Sequence, residues 1–336
     1  MGLVCASNSD CSAQNNFIPC ESCSLRPRNY APRMPAPVHV IGSLMIDRFV
    51  RVSKFPRAGE TVAAQSVQIF PGGKGANQAV AAARCGAAVR MCGRTGADGR
   101  FIVDALQAAG VKTAGIRTDD AMSGMAIVTI TESGENAIMV AREANARLER
   151  SDIEQFLATC ERGSYLLLQN ECSELALCIR LACERGMKVW LNAAPADEHV
   201  RAIDFAHLDG LCVNETEAES LTGEHDPERA LTALAARVTR GSVVMTLGAA
   251  GAIARSSAGR AAHAGYKVKV VDTVGCGDAF IGASIVALAE GGAMHEALAW
   301  GNAAGALAAQ RSGAMPSLPL RADVMELAKQ PARVVG

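Results

Sequence analysis

Four short apolar runs decide the fold: Tyr165-Leu-Leu-Leu168, Val189-Trp-Leu-Asn192, Gly210-Leu-Cys-Val213 and Val243-Val-Met-Thr246. Each is too short for a helix, and each reads as a strand buried on both faces. Between them lie stretches of helical period, Ser173–Arg185, Glu215–Leu221 and Pro227–Arg240. Strand alternating with helix predicts an α/β domain with a mostly parallel central sheet and helices on both faces. That is a three-layer αβα sandwich of Rossmann-like type.

Working outward, Val38–Gly42 and Val89–Cys92 read as further strands, and Lys74–Cys85 and Phe101–Ala109 as helices stopped by Gly86 and Gly110. Phe49–Phe70 is extended text with a turn at Pro56–Gly59. Gly124–Ile130 and Ala137–Ala141 flank a turn at Glu132–Glu135, a hairpin signal. These two β-rich pieces break the alternation. They predict a small β-sheet lid drawn from about residues 48–70 and 122–142. Downstream, Val270–Thr273 reads as a strand, Asp278–Ala289 and His295–Ala309 as helices, and Ser312–Pro319 as a turn. The folded domain is placed at 37–325. Residues 1–36, rich in Ser, Asn, Pro and Cys without period, read as a disordered leader, or Met34 is the true start.

The chain has 336 residues, 49% of them hydrophobic but only 4% aromatic, so its core must be built of Ala, Val, Leu and Ile. Lys+Arg number 33 against Asp+Glu 34, for a net charge of −1. With no basic surplus, a nucleic-acid partner is not expected; a small anion needs only a local positive field. No apolar run approaches the roughly 18 residues of a membrane helix. The first residues lack the basic and apolar regions of a secretory signal, so a cytoplasmic location is expected. Of twelve cysteines, the eight from Cys85 to Cys276 read as reduced, buried small hydrophobes. Cys20-x-x-Cys23 has half the spacing of a zinc site, but no second half follows.

The chemistry lies in two glycine-rich stretches. In Asp272-Thr-Val-Gly-Cys-Gly-Asp278 two glycines flank one residue just before a helix. Glycine allows positive φ and close backbone approach, and the first helical amides point outward at the positive dipole end. Together they make an anion hole fit for a phosphoryl group in transfer. Asp278 beside it can cap the helix or take a proton from an attacking hydroxyl. In Gly72-Gly-Lys-Gly-Ala-Asn-Gln78 a flat loop brings Lys74 and Asn77 within reach of hydroxyls; the spacing is not that of a P-loop.

These motifs, in this order and about 200 residues apart, resemble the ribokinase-like (PfkB) carbohydrate kinase family. The likeness runs from about Val38 to Pro319. It takes in Gly42-Ser-Leu-Met-Ile-Asp47, Gly59–Val62, Gln169-Asn-Glu171, Asn192-Ala-Ala-Pro-Ala196, Asn214-Glu-Thr-Glu217, Thr246-Leu-Gly248 and Gly313-Ala-Met-Pro-Ser317. GGKGANQ and NETEAE look like its ribokinase branch. The resemblance implies the ribokinase fold and ATP-dependent phosphorylation of D-ribose at O5. Asp278 would be the general base, and Gly275, Cys276 and Gly277 the anion hole. Asp47, Gly73, Lys74, Asn77 and Glu171 would hold the sugar. Thr246, Gly248, Gly251, Gly277 and Asn302, with Asn214, would hold ATP. Asn214 and Glu217 would organise Mg²⁺ through water. Asp272, Val274, Ala308, Arg311, Gly313 and Ser317 would bind an activating K⁺. Lid strands pairing across a homodimer would cover their own edges.

The chain departs from the family pattern at Met45, where many members carry Asn. Met cannot hydrogen-bond a sugar hydroxyl, so 2-deoxyribose is a competing substrate. Ala193 replaces a Pro, Asn170 a Leu, and Glu143 a Gly. A nucleoside kinase of the same family and a non-catalytic sugar sensor are the other readings. The intact set of motif residues argues against the sensor.

Overall fold

The structure is a computed structural model and describes residues 35–332. The chain opens with β1 (Val38–Ile41), crosses to β2 (Met45–Val52) and β3 (Ser66–Gly72), then enters α1 (Lys74–Arg84). After β4 (Val89–Gly96) come α2 (Arg100–Ala108), β5 (Lys112–Asp119), β6 (Gly124–Thr131) and β7 (Asn136–Ala141). The alternating half follows: α3 (Arg150–Ala158), β8 (Tyr165–Gln169), α4 (Leu175–Glu184), β9 (Lys188–Asn192), α5 (Glu198–Arg201), β10 (Gly210–Asn214), α6 (Glu215–Thr222), α7 (Pro227–Arg237) and β11 (Ser242–Thr246). The last part holds β12 (Gly251–Ser256), β13 (Gly259–Ala264), α8 (Cys276–Ala289), α9 (Met294–Ala308), α10 (Ala314–Ser317) and α11 (Arg321–Ala328).

Nine strands form one sheet in the order β13-β12-β11-β10-β9-β8-β1-β4-β5. Its seven strands from β11 to β5 pair in parallel, and β12 and β13 add an antiparallel edge. One apolar cluster packs α1, α8 and α9 against one face; a second packs α3, α4, α6 and α7 against the other. The first relies on small residues. A Cβ on Gly282 of α8 would stand 2.4 Å from Ala81 Cβ of α1, and one on Gly301 of α9 would stand 2.3 Å from Ser284 Oγ. The helices therefore pack almost backbone to backbone, which brings the start of α1 to the start of α8. Strand order reverses between β1 and β8, and ligands of open α/β sheets bind beyond the carboxyl ends of strands at such a point.

The separate small sheet β3-β2-β6-β7 draws its strands from the two β-rich stretches that broke the alternation. β2 pairs with β6 in parallel and with β3 antiparallel, and β7 is antiparallel to β6. Several elements differ from the sequence reading: β5, α3, α5 and α11 were not expected, and α10 falls within the stretch read as a turn. Val270–Thr273 is not a strand: the amides of Val271 and Asp272 both go to Ala309 O, and Val270 and Val271 are exposed. The hairpin β12–β13 had no signal, because its text is Ala, Gly and Arg rather than β-branched. The expected leader lies outside the described residues apart from Pro35 and Ala36, and the Ala36 amide donates to Ala289 O. The eight cysteines from Cys85 to Cys276 are all free.

Candidate active site

Two helices start at the cleft, each after a glycine with positive φ. Gly73 (φ 94) precedes α1 and Gly275 (φ 81) precedes α8, and neither glycine has a side chain to cap its own helix. The first amides of α1 are already paired, Lys74 N with Glu171, Gly75 N with Ser43 Oγ and Ala76 N with Ser43 O, so only α8 has its first turn, from Gly277, open to the cleft. The two glycines of Gly275-Cys-Gly277 are needed for different reasons. A Cβ on Gly275 would stand 2.9 Å from Ala314 Cα, so α10 buttresses it. At Gly277 nothing lies within 4 Å of the Cβ position: the space above it is open cleft.

Asp278 sits in the first turn of α8, buried. Its Oδ2 accepts from Asn77 Nδ2 and its Oδ1 from Gln78 Nε2, both at 3.0 Å. Asn77 Oδ1 is buried without a donor among the described residues, so it is available to a hydroxyl. Lys74 stands among the carboxylates of Asp278, Glu171, Glu217 and Asp47. Burial works to lower its pKa, but these four charges outweigh it and hold the ammonium above the ordinary lysine value. Burial is the main cause that raises Asp278, with Glu171 adding and Lys74 and the two amide donors opposing. Asp47 is pushed up to about 7 by burial, then by Glu171 and Asp278, against Lys74. Such a cluster of shifted carboxyls in a cleft is typical of a site for charged chemistry.

The sugar-side loop is held tightly. Glu171 Oε2 accepts from the Lys74 amide at 3.1 Å and from the Ser43 hydroxyl, so this carboxylate also closes the start of α1. The Asp47 carboxylate lies over Gly72, whose Cβ would stand 1.9 Å from Oδ2. Met45 is buried against Gly73, Gly124 and Asn145. Asn145 exchanges two 2.9 Å bonds with the Leu44 backbone and reaches Met45 Sδ at 3.5 Å. Asn145 is carried on a turn that begins at Glu143 with φ 44, in the left-handed region that favours glycine.

Two cavities meet here. One of about 490 Å³ is lined by Thr246, Gly248, Gly251 and Asn302, with Tyr266 and Phe280. The other, about 340 Å³, is lined by Lys74, Asn214, Glu217 and Asp278, with Asn136 and Ile138 of lid strand β7. Thr246, Thr273 and Gly277 line both, so the glycine turn before α8 stands at their junction. Asn302 Nδ2 is spent on His263 O (2.9 Å) and Ala264 O (3.3 Å), tying α9 to β13. Asn214 and Glu217 form a reciprocal cap on α6: Glu217 N donates to Asn214 Oδ1 and Asn214 N to Glu217 Oε2. Burial raises the Glu217 carboxyl, with Lys74 opposing. Among the described residues no group of three or more His, Cys, Asp or Glu is arranged to hold a metal. One cleft carboxylate fits Mg²⁺ that arrives on a nucleotide and keeps its waters.

The residues expected around K⁺ come together. Asp272 Oδ1 accepts from Val274 N (3.0 Å) and Oδ2 from Gly313 N (2.8 Å), so one carboxylate joins the anion-hole loop to the 313 loop. Arg311 N donates to Ala308 O, and Ser317 Oγ to Ala314 O. Arg84, at the far end of α1, donates to Met315 O and Leu318 O and braces the same loop. The sequence reading missed Gln78, the lid residues Asn136 and Ile138, and the nucleotide-side residues Tyr266, Lys267 and Val268. Gln78 had a signal, being next to Asn77 in the same motif. The others lie in text without a pattern.

This fold and cleft define a carbohydrate kinase. The chain belongs to the pfkB family carbohydrate kinases, whose pattern matches residues 36–321. Its similar relatives include ribokinases. That of Haemophilus influenzae is 37% identical over 300 residues, covering 85% of this chain and 96% of the relative. That of Mus musculus is 33% identical, covering 90% and 98%. Among solved structures, Arabidopsis thaliana ribokinase complexed with ribose and ATP superposes with a TM-score of 0.77 at 30% identity, covering 88% of this chain and all of that one. Thermotoga maritima ribokinase gives 0.78 at 31% identity, with 88% and 100% covered.

Proposed function

We propose that the protein phosphorylates D-ribose at O5 with ATP. The observation that carries this is the junction: a nucleotide-sized cavity and a polar cavity meet at Gly277, with Asp278 and Lys74 on the polar side. The similarity to ribokinases over nearly their whole length supports the choice of sugar.

In this reading Asp47, Glu171, Lys74 and Asn77 hold the pentose with its primary hydroxyl at Asp278. The hydroxyl proton passes to Asp278 while O5 bonds to the γ-phosphorus and the bond to the β,γ-bridging oxygen breaks. The product is ribose 5-phosphate, and ADP leaves. The raised pKa of Asp278 makes it a better acceptor than an ordinary carboxylate. The amides at the start of α8 and the Lys74 ammonium meet the charge of the transferring phosphoryl group. Glu217 and Asn214 would hold Mg²⁺ through water, supplying charge neutralisation at the nucleotide phosphates, and the Asp272–Ser317 cluster would hold K⁺ beside the loop that precedes α8. The lid closes over the sugar and excludes water. Two copies pair through lid sheets whose strands β3 and β7 expose Val67, Ile69, Ile138, Met139 and Val140. The location is the cytoplasm; among the described residues no helix is long and apolar enough to cross a membrane.

Met45 favours a second substrate, 2-deoxy-D-ribose. Its Cγ lies beneath Gly73 and its Sδ against Gly124 and Asn145, and a thioether offers a hydroxyl neither donor nor strong acceptor. The test is ADP release with Mg·ATP and K⁺, comparing D-ribose, 2-deoxy-D-ribose, D-fructose and adenosine. Pentose turnover lost in Asp278→Asn supports the reading. Turnover of fructose or adenosine above both pentoses overturns it.

A further inference from the structure

We infer that Gln78 and Gln169 are positioning residues that fix the orientation of the Asp278 carboxylate for proton transfer. The inference rests on Asp278 as the base. Gln78 on α1 is fully buried, and Gln169 at the end of β8 is 2% exposed. Burying two neutral amides is unfavourable unless their polar atoms are satisfied. Here they form a chain with one direction. Gln169 Nε2 donates to Gln78 Oε1 at 2.8 Å, and Gln78 Nε2 donates to Asp278 Oδ1 at 3.0 Å.

The direction follows from chemistry. An ionised carboxylate only accepts, so Gln78 must turn its NH₂ to Asp278 and its oxygen away. That oxygen needs a donor, so Gln169 must turn its NH₂ to Gln78. Gln169 Oε1 is then left buried without a donor among the described residues, the one unfavourable end of the chain. Room for it is made by Gly42, whose Cβ would stand 2.1 Å from Gln169 Oε1. The sheet thus holds Gln169, Gln169 holds Gln78, and Gln78 with Asn77 holds both carboxylate oxygens. Asp278 cannot rotate without breaking a hydrogen bond from Asn77 or Gln78, and its remaining lone pairs stay directed at the cleft. A base displaced by an ångström loses much of its rate without weakening substrate binding.

The test uses the full-length protein and the near-isosteric variants Gln78→Met, Gln169→Met and their double, with steady-state kinetics on D-ribose and Mg·ATP and thermal unfolding of each. The expected result is a kcat loss on the order of 10- to 100-fold in each single variant, with KM for both substrates within about threefold of the parent. Because Gln169 acts through Gln78, the double variant should match Gln78→Met instead of multiplying the losses. Losses that multiply, or a raised KM at unchanged kcat, overturn the inference. If Gln78→Met does not fold, Gln169→Met alone decides: a lowered kcat at unchanged KM supports positioning, and an unchanged kcat refutes it. Asp278→Asn separates the two levels. If it keeps parental turnover, the reading of the base fails. If it abolishes turnover while the Gln variants keep theirs, only the positioning chain fails.

Discussion

Asp47→Asn should make the ligand-free protein more stable at pH 8 while abolishing sugar binding. In the folded protein the Asp47 carboxyl keeps its proton up to about pH 7, against an ordinary value of 3.8, because it is buried beside Glu171 and Asp278. Between those two values the native state binds more protons than the unfolded one, so stability falls as pH rises through this window. At 1.36 kcal/mol per pH unit, the full cost above pH 7 is roughly 4 kcal/mol. Asn imitates the protonated acid in shape and carries no charge, so it removes this cost. At about 2 °C per kcal/mol for a chain of this size, the variant gains up to roughly 8 °C in Tm at pH 8. Near pH 5 the native carboxyl of the parent is already neutral, so the gain shrinks as pH falls towards 5. The assay is thermal unfolding of both proteins from pH 5 to 8 without ligands, with calorimetric titration of D-ribose at pH 7.5. A Tm difference that stays constant or shrinks as pH rises refutes the burial argument, and unchanged ribose affinity refutes the assignment of Asp47 to the sugar.

Further outcomes follow from the same geometry. Asp278→Asn should lower kcat by about 10²- to 10⁴-fold with little change in ATP affinity, measured by coupled ADP release. Gly275→Ala should fail in two ways, through its φ of 81 and through collision with Ala314, lowering both Tm and kcat. The same change at Gly277, where space is open, should fold normally and lose turnover. Glu143→Gly relieves a left-handed backbone and should stabilise the protein by about 1 kcal/mol, seen as a small rise in urea midpoint. Met45→Asn should raise the ratio of kcat/KM for D-ribose over 2-deoxy-D-ribose; an unchanged ratio removes Met45 from sugar selection.

The parallel core was legible from the sequence because strands buried on both faces are written as short unbroken apolar runs, as in Tyr165–Leu168 and Val243–Thr246. The lid was legible for the opposite reason, since Gly124–Ile130 and Ala137–Ala141 broke the alternation around a turn. The turn before α8 was legible because a positive φ just ahead of a helix is a local demand, met by Gly275. Val270–Thr273 misled because an apolar run reads alike whether it joins a sheet or borders a cavity, and Val270 borders the nucleotide cavity.

Only the tertiary structure decided how these pieces act on one another. Asn77 and Gln78 hold Asp278 across 200 residues of chain because Gly282 lets α8 pack against Ala81 of α1. The charge on Lys74, the neutral tendency of Asp47 and the direction of the Gln169–Gln78 chain depend on burial and on neighbours from β2, β8, α1, α6 and α8. Backbone demands are met within a few residues and can be read along the chain. Electrostatic and hydrogen-bonding demands are met through space, by whichever groups the packed layers bring within a few ångströms.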